Sequence, residues 1–424
     1  MISSAGSNPR VHIVGAGIAG LACAVRLARA GRPVVLYEAA GQAGGRCRSL
    51  FDAKLGRSID NGNHLLLSAN REALDYVAEI GARDRLIGPP RAAFPFVDLK
   101  TGERWTLRPN AGPIPWWIFD ASRRIPGTRP GAYLAGLRLA AAGAEDRVGD
   151  LIAHGDPLWA RFWEPLTVAA LNTAPTEASA RLLWLVLRET FAKGEAACRP
   201  LIARDGLADA LVEPALALLR ARGAEVRFNW RLRGFASKED RVIALDFPDD
   251  RVTLGPDDPV ALALPPAVTG ALIPGLAVPN DSRPIVNAHI LLPGKPDLPE
   301  NLPFLGLVGG SADWIFLRGD LASLTVSAAE RLVDLPNEEV ARLLWHDTAS
   351  ALGFPEDPMP PVRVIKEKRA TFAQTPEALA RRAKPRTAWR NLVLAGDWTD
   401  TGYPATIESA VRSGRTAARL VLEG

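Results

Sequence analysis

Two groups of residues near the N-terminus have types and spacing that could do chemistry. The first is the glycine run in VHIVGAGIAGLACAVRLARAGRPVVLYE, where Gly15, Gly17, Ala19 and Gly20 separate an apolar run from a stretch of helical spacing. Gly15 allows a sharp turn, Gly17 lets the backbone approach a pyrophosphate, and Gly20 lets a helix lie close on a strand. An anion there would sit on a helix N-terminus, where free N–H groups and the dipole favour negative charge. Glu38 closes the next apolar run, where a carboxylate can accept from both hydroxyls of a ribose and would repel a 2′-phosphate. The second group is IDNGNHLLL, which puts Asp60, Asn61, Gly62, Asn63 and His64 in front of an apolar run. It reads either as the wall of a reaction site or as a polar turn; His64 has the ordinary pKa for proton transfer near neutral pH.

These residues need a frame, and their surroundings supply one. Val11 to Val14 reads as a strand, Ile18 to Ala30 as a helix and Val34 to Tyr37 as a second strand, the order of a nucleotide-binding βαβ unit. In GGRCRS, Gly44, Gly45 and Arg46 form a loop that could fold back over the phosphates. At the far end, NLVLAGDWTDTGYPATIESAVRSG gives a strand at 392 to 394, a turn at Gly396 and Asp397, and a helix from about Ala405. A cofactor held between both ends of a chain is long, as FAD is. Asp397 could bond ribityl or phosphate-linked hydroxyls. Thr406 and Ile407, at the N-terminus of the last helix, would face the pyrimidine edge of the flavin and favour its reduced anion.

The 424 residues suit two domains, each with its own core, and 47% hydrophobic with 23% charged residues is a globular composition. The net charge of +4 comes from 51 basic and 47 acidic residues scattered along the chain, so nucleic-acid binding is not expected. Three cysteines far apart point to a reduced, cytoplasmic protein. Five dispersed histidines give no metal-ligand spacing, and no structural metal is expected. MISSAGSNPR has no apolar h-region, so no signal peptide is expected. No run of 18 apolar residues occurs, and any membrane would be met from one side.

The glycine run, Glu38, GGR and the C-terminal GD together resemble the amine oxidase and phytoene desaturase superfamily of flavoproteins, over almost the whole chain. DNGNHLLLSANREALDYVAEIGA, FWEPLTVAALNTAPTEASA and EKRATFAQTP are similar to segments of the hydroxysqualene dehydroxylases, also called squalene-associated FAD-dependent desaturases. Asn63 stands where Gln is expected in many members, which keeps a polar amide. The resemblance implies a Rossmann-like FAD-binding domain (1–72, 196–276 and 386–424) interleaved with an α+β substrate-binding domain (73–195 and 277–385). It places Leu232 where a backbone group contacts adenine. It further implies a long apolar isoprenoid substrate: hydroxysqualene reduced to squalene, hydride coming from reduced FAD and the hydroxyl leaving as water.

Such a reaction needs a dry pocket and a proton donor. His64 is the first candidate, Asn63 lies beside it on the substrate side, and Glu164, if aromatic neighbours raise its pKa, is the second. Trp159, Phe162, Trp163, Trp184 and Phe191 read as a helical core or as an apolar tunnel. GPIPWWIFDASRR, with Trp116, Trp117, Ile118 and Phe119 before Arg123 and Arg124, reads as a packed loop or as an anchor for anionic headgroups at the inner face of the cell membrane. Lys368 and Arg369 read as cofactor contacts or as a solvated strand edge. The rival readings are a carotenoid-type polyprenoid desaturase or isomerase, a sugar-nucleotide mutase, and a flavin-binding protein without turnover.

Overall fold

The parallel sheet that the glycine run enters is assembled from the whole length of the chain. In the computed structural model, which describes residues 9–424, its order is Glu225–Arg227, Val34–Tyr37, Val11–Val14, Val260–Leu262, Leu392–Leu394. Every neighbouring pair runs parallel. Its central strands are buried on both faces and apolar apart from His12, which bonds the Tyr37 hydroxyl, as a sheet covered on both sides requires. The helix Ile18–Arg29 crosses one face, and the last helix, Ile407–Glu423, packs against it. Their contact is close: a Cβ on Gly414 would stand 2.2 Å from the carbonyl oxygen of Ala19. Most of the stretch expected to hold no secretory leader, residues 1–8, lies outside the described residues.

The second sheet has seven strands in the order Val362–Phe372, Ser282–Leu291, Leu321–Val326, Trp314–Arg318, Phe304–Val308, Phe94–Asp98, Arg104–Leu107. Only Phe304–Val308 and Phe94–Asp98 pair in parallel. Its two faces differ in chemistry. One carries Val286, Ala288, Ile290, Leu305, Ile315 and Leu324 and packs on the helix Asn337–Leu352. The other turns Phe94, Trp105, Phe304 and Phe316 toward a helical layer holding Trp117, Tyr133, Trp159, Phe162 and Trp163. In that layer Phe162 and Trp163 meet edge to face at 4.9 Å, and Gly136 leaves the room that the Trp163 ring fills. Trp184 and Phe191 pack against the same cluster, so the aromatic segment 157–191 is a packed helical core.

Candidate functional site

The glycine turn is shaped by contacts that leave no room for side chains. At Gly15, φ is +104° and a Cβ would lie 2.3 Å from the Ala263 oxygen; at Gly20, one would lie 1.8 Å from the Gly15 oxygen. Gly17 is different. It caps the helix Ile18–Arg29 without a side-chain hydrogen bond, and a Cβ there would meet nothing within 4 Å. Space therefore stands open above the uncapped N–H groups of the first turn, where Ile18 and Ala19 begin the helix. Gly44 donates its N–H to the Ala16 oxygen at 2.8 Å, which folds the Gly44–Gly45–Arg46 loop back against Gly17.

Glu38 is held ready rather than free. Its two carboxylate oxygens accept from the N–H of Ala16, 2.8 Å, and of Ala40, 2.9 Å. Each oxygen keeps a second lone pair for a hydroxyl. Leu232 is buried, with a backbone that makes no hydrogen bond among the described residues. At the other end of the cradle, Arg46 donates to Asp397 at 2.7 Å and to the carbonyl oxygen of Ala370. The Asp397 carboxylate raises the Arg46 pKa above its ordinary value. Gly396 is fixed by its N–H to Ser413, and Thr406 caps the helix Ile407–Glu423 by accepting from the Ser409 N–H. An open glycine turn, an uncapped helix N-terminus, a poised carboxylate and a paired arginine fit the phosphates and ribose of a dinucleotide.

Spacing could not reveal Arg382. Nearly buried, it donates to the carbonyl oxygens of Asp397, Thr399 and Tyr403 and to the Thr401 hydroxyl, and so fixes the loop between Gly396 and the last helix. Burial pulls its guanidinium down to about 10, still charged at neutral pH. Gln374 ties the same region to the helical layer, accepting from the Ala405 N–H and donating to the Leu171 oxygen.

The segment 60–64 lies between the two sheets, and almost every residue in it is held. Asp60, fully buried, accepts from the Ser49 hydroxyl and the Leu207 N–H and pairs with Arg318 at 2.6 Å. Its carbonyl oxygen takes the Nε2 proton of His289, whose Nδ1 then accepts from Ser323 at 2.8 Å. Asn61 links Arg48 to Glu367. Gly62 lies against the Asn287 amide, 3.3 Å from where a Cβ would stand. Asn63 donates to the Thr325 hydroxyl at 3.1 Å and to the Leu324 oxygen.

Several expectations need correction. Half-buried His64 has its pKa pushed down to about 4 by burial, with the Arg46 charge acting in the same direction. At neutral pH it is a neutral imidazole, so the argument from its ordinary pKa does not hold. Glu164 is exposed to solvent rather than enclosed. The Asn63 amide is committed in part to the sheet rather than wholly to the substrate side. Lys368 pairs with Asp334 at the surface and Arg369 is exposed, as on a solvated strand edge. The 112–124 segment is split: Trp117 and Ile118 are buried, Trp116 and Phe119 more than half exposed.

This combination defines a flavoprotein oxidoreductase. The family model described as flavin containing amine oxidoreductase matches residues 18–422, and the chain belongs to that family, with FAD as its cofactor. Within it the chain belongs with the hydroxysqualene dehydroxylases. Over 413 residues it is 51% identical to the hydroxysqualene dehydroxylase of Rhodopseudomonas palustris, covering 97% of this chain and 98% of that protein. It is 48% identical, with the same coverage, to the one from Sinorhizobium fredii. Among solved structures, a putrescine oxidase superposes with a TM-score of 0.71 over 98% of this chain and 99% of that one; at 17% identity that likeness concerns the fold.

Proposed function

We propose that this enzyme reduces hydroxysqualene to squalene with loss of water. The observation that carries the reading is the near-full-length likeness to relatives bearing that name, and the cradle between Gly17, Glu38, Arg46 and Asp397 agrees with it. Bound and reduced, FAD supplies the hydride. The chain's own residues do the rest. Gly17 and the first turn of its helix receive the pyrophosphate, with Leu232 at the adenine. Arg382 holds the Asp397 loop in place from behind. Gly62 brings the backbone close to the reacting region, and the aromatic face of the second sheet keeps water out.

His64, whose ring makes no hydrogen bond among the described residues, offers a neutral N–H to the departing hydroxyl. It steadies the leaving group; the hydride and the proton that turn the alcohol into squalene and water are the two hydrogens that reduced FAD gives up.

The substrate reaches the site from a membrane. At about 0.8 kcal/mol per buried CH₂, a thirty-carbon chain favours a bilayer over water by on the order of 20 kcal/mol. Ile114, Trp116, Phe119, Leu134 and Leu137, each more than half exposed, lie in one segment with Arg123, Arg124, Arg129 and Arg138, and they support docking on an anionic surface. No helix among the described residues is long and apolar enough to cross a membrane.

The test is anaerobic reduction of the purified flavoprotein, addition of hydroxysqualene in detergent, and mass spectrometry for squalene. Squalene is the expected product. None, with flavin bound and reduced, would overturn the reading and leave a desaturase or isomerase of another polyprenoid.

A further inference from the structure

One ladder row of the seven-stranded sheet changes character along its length. Asn287 pairs with Thr325, Thr325 with Trp314, Trp314 with Gly306, Gly306 with Phe96, and Phe96 with Trp105. Directly opposed residues share a sheet face, so these side chains form one line. Its first two members are polar and lie under Gly62 and Asn63; the rest are aromatic, separated by a glycine. A Cβ on Gly306 would strike the Phe96 ring at 2.3 Å; without one, the Phe96 and Trp314 rings meet across it at 5.3 Å. Phe96 and Trp314 are only partly buried.

The polar end is a directed chain of hydrogen bonds. Asn63 Nδ2 donates to Thr325 Oγ1, Thr325 Oγ1 donates to Asn287 Oδ1 at 3.1 Å, and Asn287 Nδ2 donates to the Asn61 oxygen at 3.4 Å. The contact from Asn63 Nδ2 to the Leu324 carbonyl, which can only accept, fixes which way the amide faces. The other end of that amide, Asn63 Oδ1, is buried and meets no donor among the described residues. A buried acceptor left unfilled is costly, and it takes an O–H readily.

We propose that Asn63, oriented by Thr325 and Asn287, recognises the single hydroxyl of the substrate, and that the aromatic part of the row sets the direction in which its hydrocarbon lies. This rests on the reading that the substrate is hydroxysqualene. The hydroxyl donates a hydrogen bond to Asn63 Oδ1, which completes the chain and leaves the oxygen lone pairs free for the proton, given up by reduced FAD, with which the group departs as water. The acceptor is closed to bulk water in the free chain, so neighbouring groups move aside as the substrate enters while the amide keeps its bonds to Thr325 and Leu324. Asn63 and Thr325 are thus the residues that distinguish substrate from product, since squalene differs by lacking the hydroxyl.

The test compares binding of hydroxysqualene and squalene, in detergent, to the oxidised FAD-loaded enzyme, with kcat and KM measured on the reduced enzyme. The wild type is expected to prefer hydroxysqualene by about 10- to 100-fold. Asn63→Leu brings that ratio close to one through weaker hydroxysqualene binding, leaving the affinity for squalene in place. Thr325→Val moves it the same way, and Thr325→Ser, which keeps the hydroxyl, restores it. An unchanged ratio in both Asn63→Leu and Thr325→Val, with flavin bound, overturns the proposal alone. A wild type that makes no squalene overturns the functional reading and the proposal with it.

Discussion

Arg46 and Asp397 stand 351 positions apart in the chain and meet at 2.7 Å, with the Asp397 side chain buried and the Arg46 side chain 43% exposed. The pair joins the loop after the second strand of the parallel sheet to the turn before the last helix, the two segments proposed to hold the cofactor between them. With one partner so open to solvent it adds little to folding, about 0 to 1 kcal/mol. Asp397→Asn is therefore expected to leave the melting temperature of the FAD-free protein nearly unchanged and to loosen FAD about tenfold, through loss of one charged hydrogen bond. Fluorescence titration with FAD reads the second effect; equal loosening and melting shifts would contradict it.

Gly17 and Gly20 should fail in different ways. Gly17→Ala places a methyl in open space, so the chain folds with a stability within about 1 kcal/mol of the wild type. The methyl stands where the pyrophosphate must approach, and FAD affinity falls by roughly 100-fold or more. Gly20→Ala drives a methyl into the Gly15 carbonyl and costs about 3 kcal/mol of folding stability. Denaturant melts of both FAD-free variants separate the cases, and a Gly17→Ala protein that binds FAD normally would refute the placement.

Acid should weaken the fold through two histidines. Burial pushes His289 and His64 each down to about 4 in the folded chain, from an ordinary value near 6.5. Both favour the neutral ring, so each adds stability that is complete above pH 6.5 and is lost as pH falls toward 4. The loss approaches about 3 kcal/mol for fully buried His289 and is smaller for half-buried His64. His289→Gln, which can still donate to the Asp60 carbonyl, is expected to flatten the acid limb of stability measured from pH 7.5 to 4.5.

Asp313 has the opposite sign. It accepts from the Ser327 N–H at 2.6 Å, and burial pushes its carboxyl up to about 6. The folded chain therefore prefers it protonated, and stability declines as pH rises from about 4 through 6. Asp313→Asn is expected to gain on the order of 1 to 2 kcal/mol at pH 8 and nothing at pH 4. A gain of the same size at both values would show that charge is not the cause.

Membrane docking makes a separate claim. Replacing Trp116 and Phe119 together by Ser should cut association with vesicles containing anionic lipid by about tenfold per ring, without changing flavin content. Added salt should weaken the wild type, through Arg123, Arg124, Arg129 and Arg138. Equal binding by the two proteins would remove these side chains from the surface that meets lipid.

The glycine turn was legible because most of its logic is local. Gly20 carries its reason within six positions, against Gly15, while Gly15 also meets the distant Ala263, and Glu38 follows Gly20 by 18 positions, one helix and one strand on. The reaction side was less legible because its reasons are tertiary. Nothing near Asp60 in the sequence announces Arg318 or His289, each more than 220 positions away. Arg382 spends its donors mostly on backbone carbonyls, which every sequence has everywhere. His64 misled because burial, not residue type, sets its pKa, and Glu164 because its side of the helix was unknown until the helix was packed.

The close seat of Gly414 on Ala19 has a consequence for how the enzyme is made. A chain emerging from the ribosome exposes the glycine turn early, yet the helix that covers the neighbouring backbone, and the strand Leu392–Leu394 that completes the sheet, are translated more than 370 positions later. The parallel sheet therefore cannot be completed until residues 392–394 have been made. Chains stalled short of residue 392 are expected to hold the glycine turn and Glu38 without the strand and helix that pack beside them.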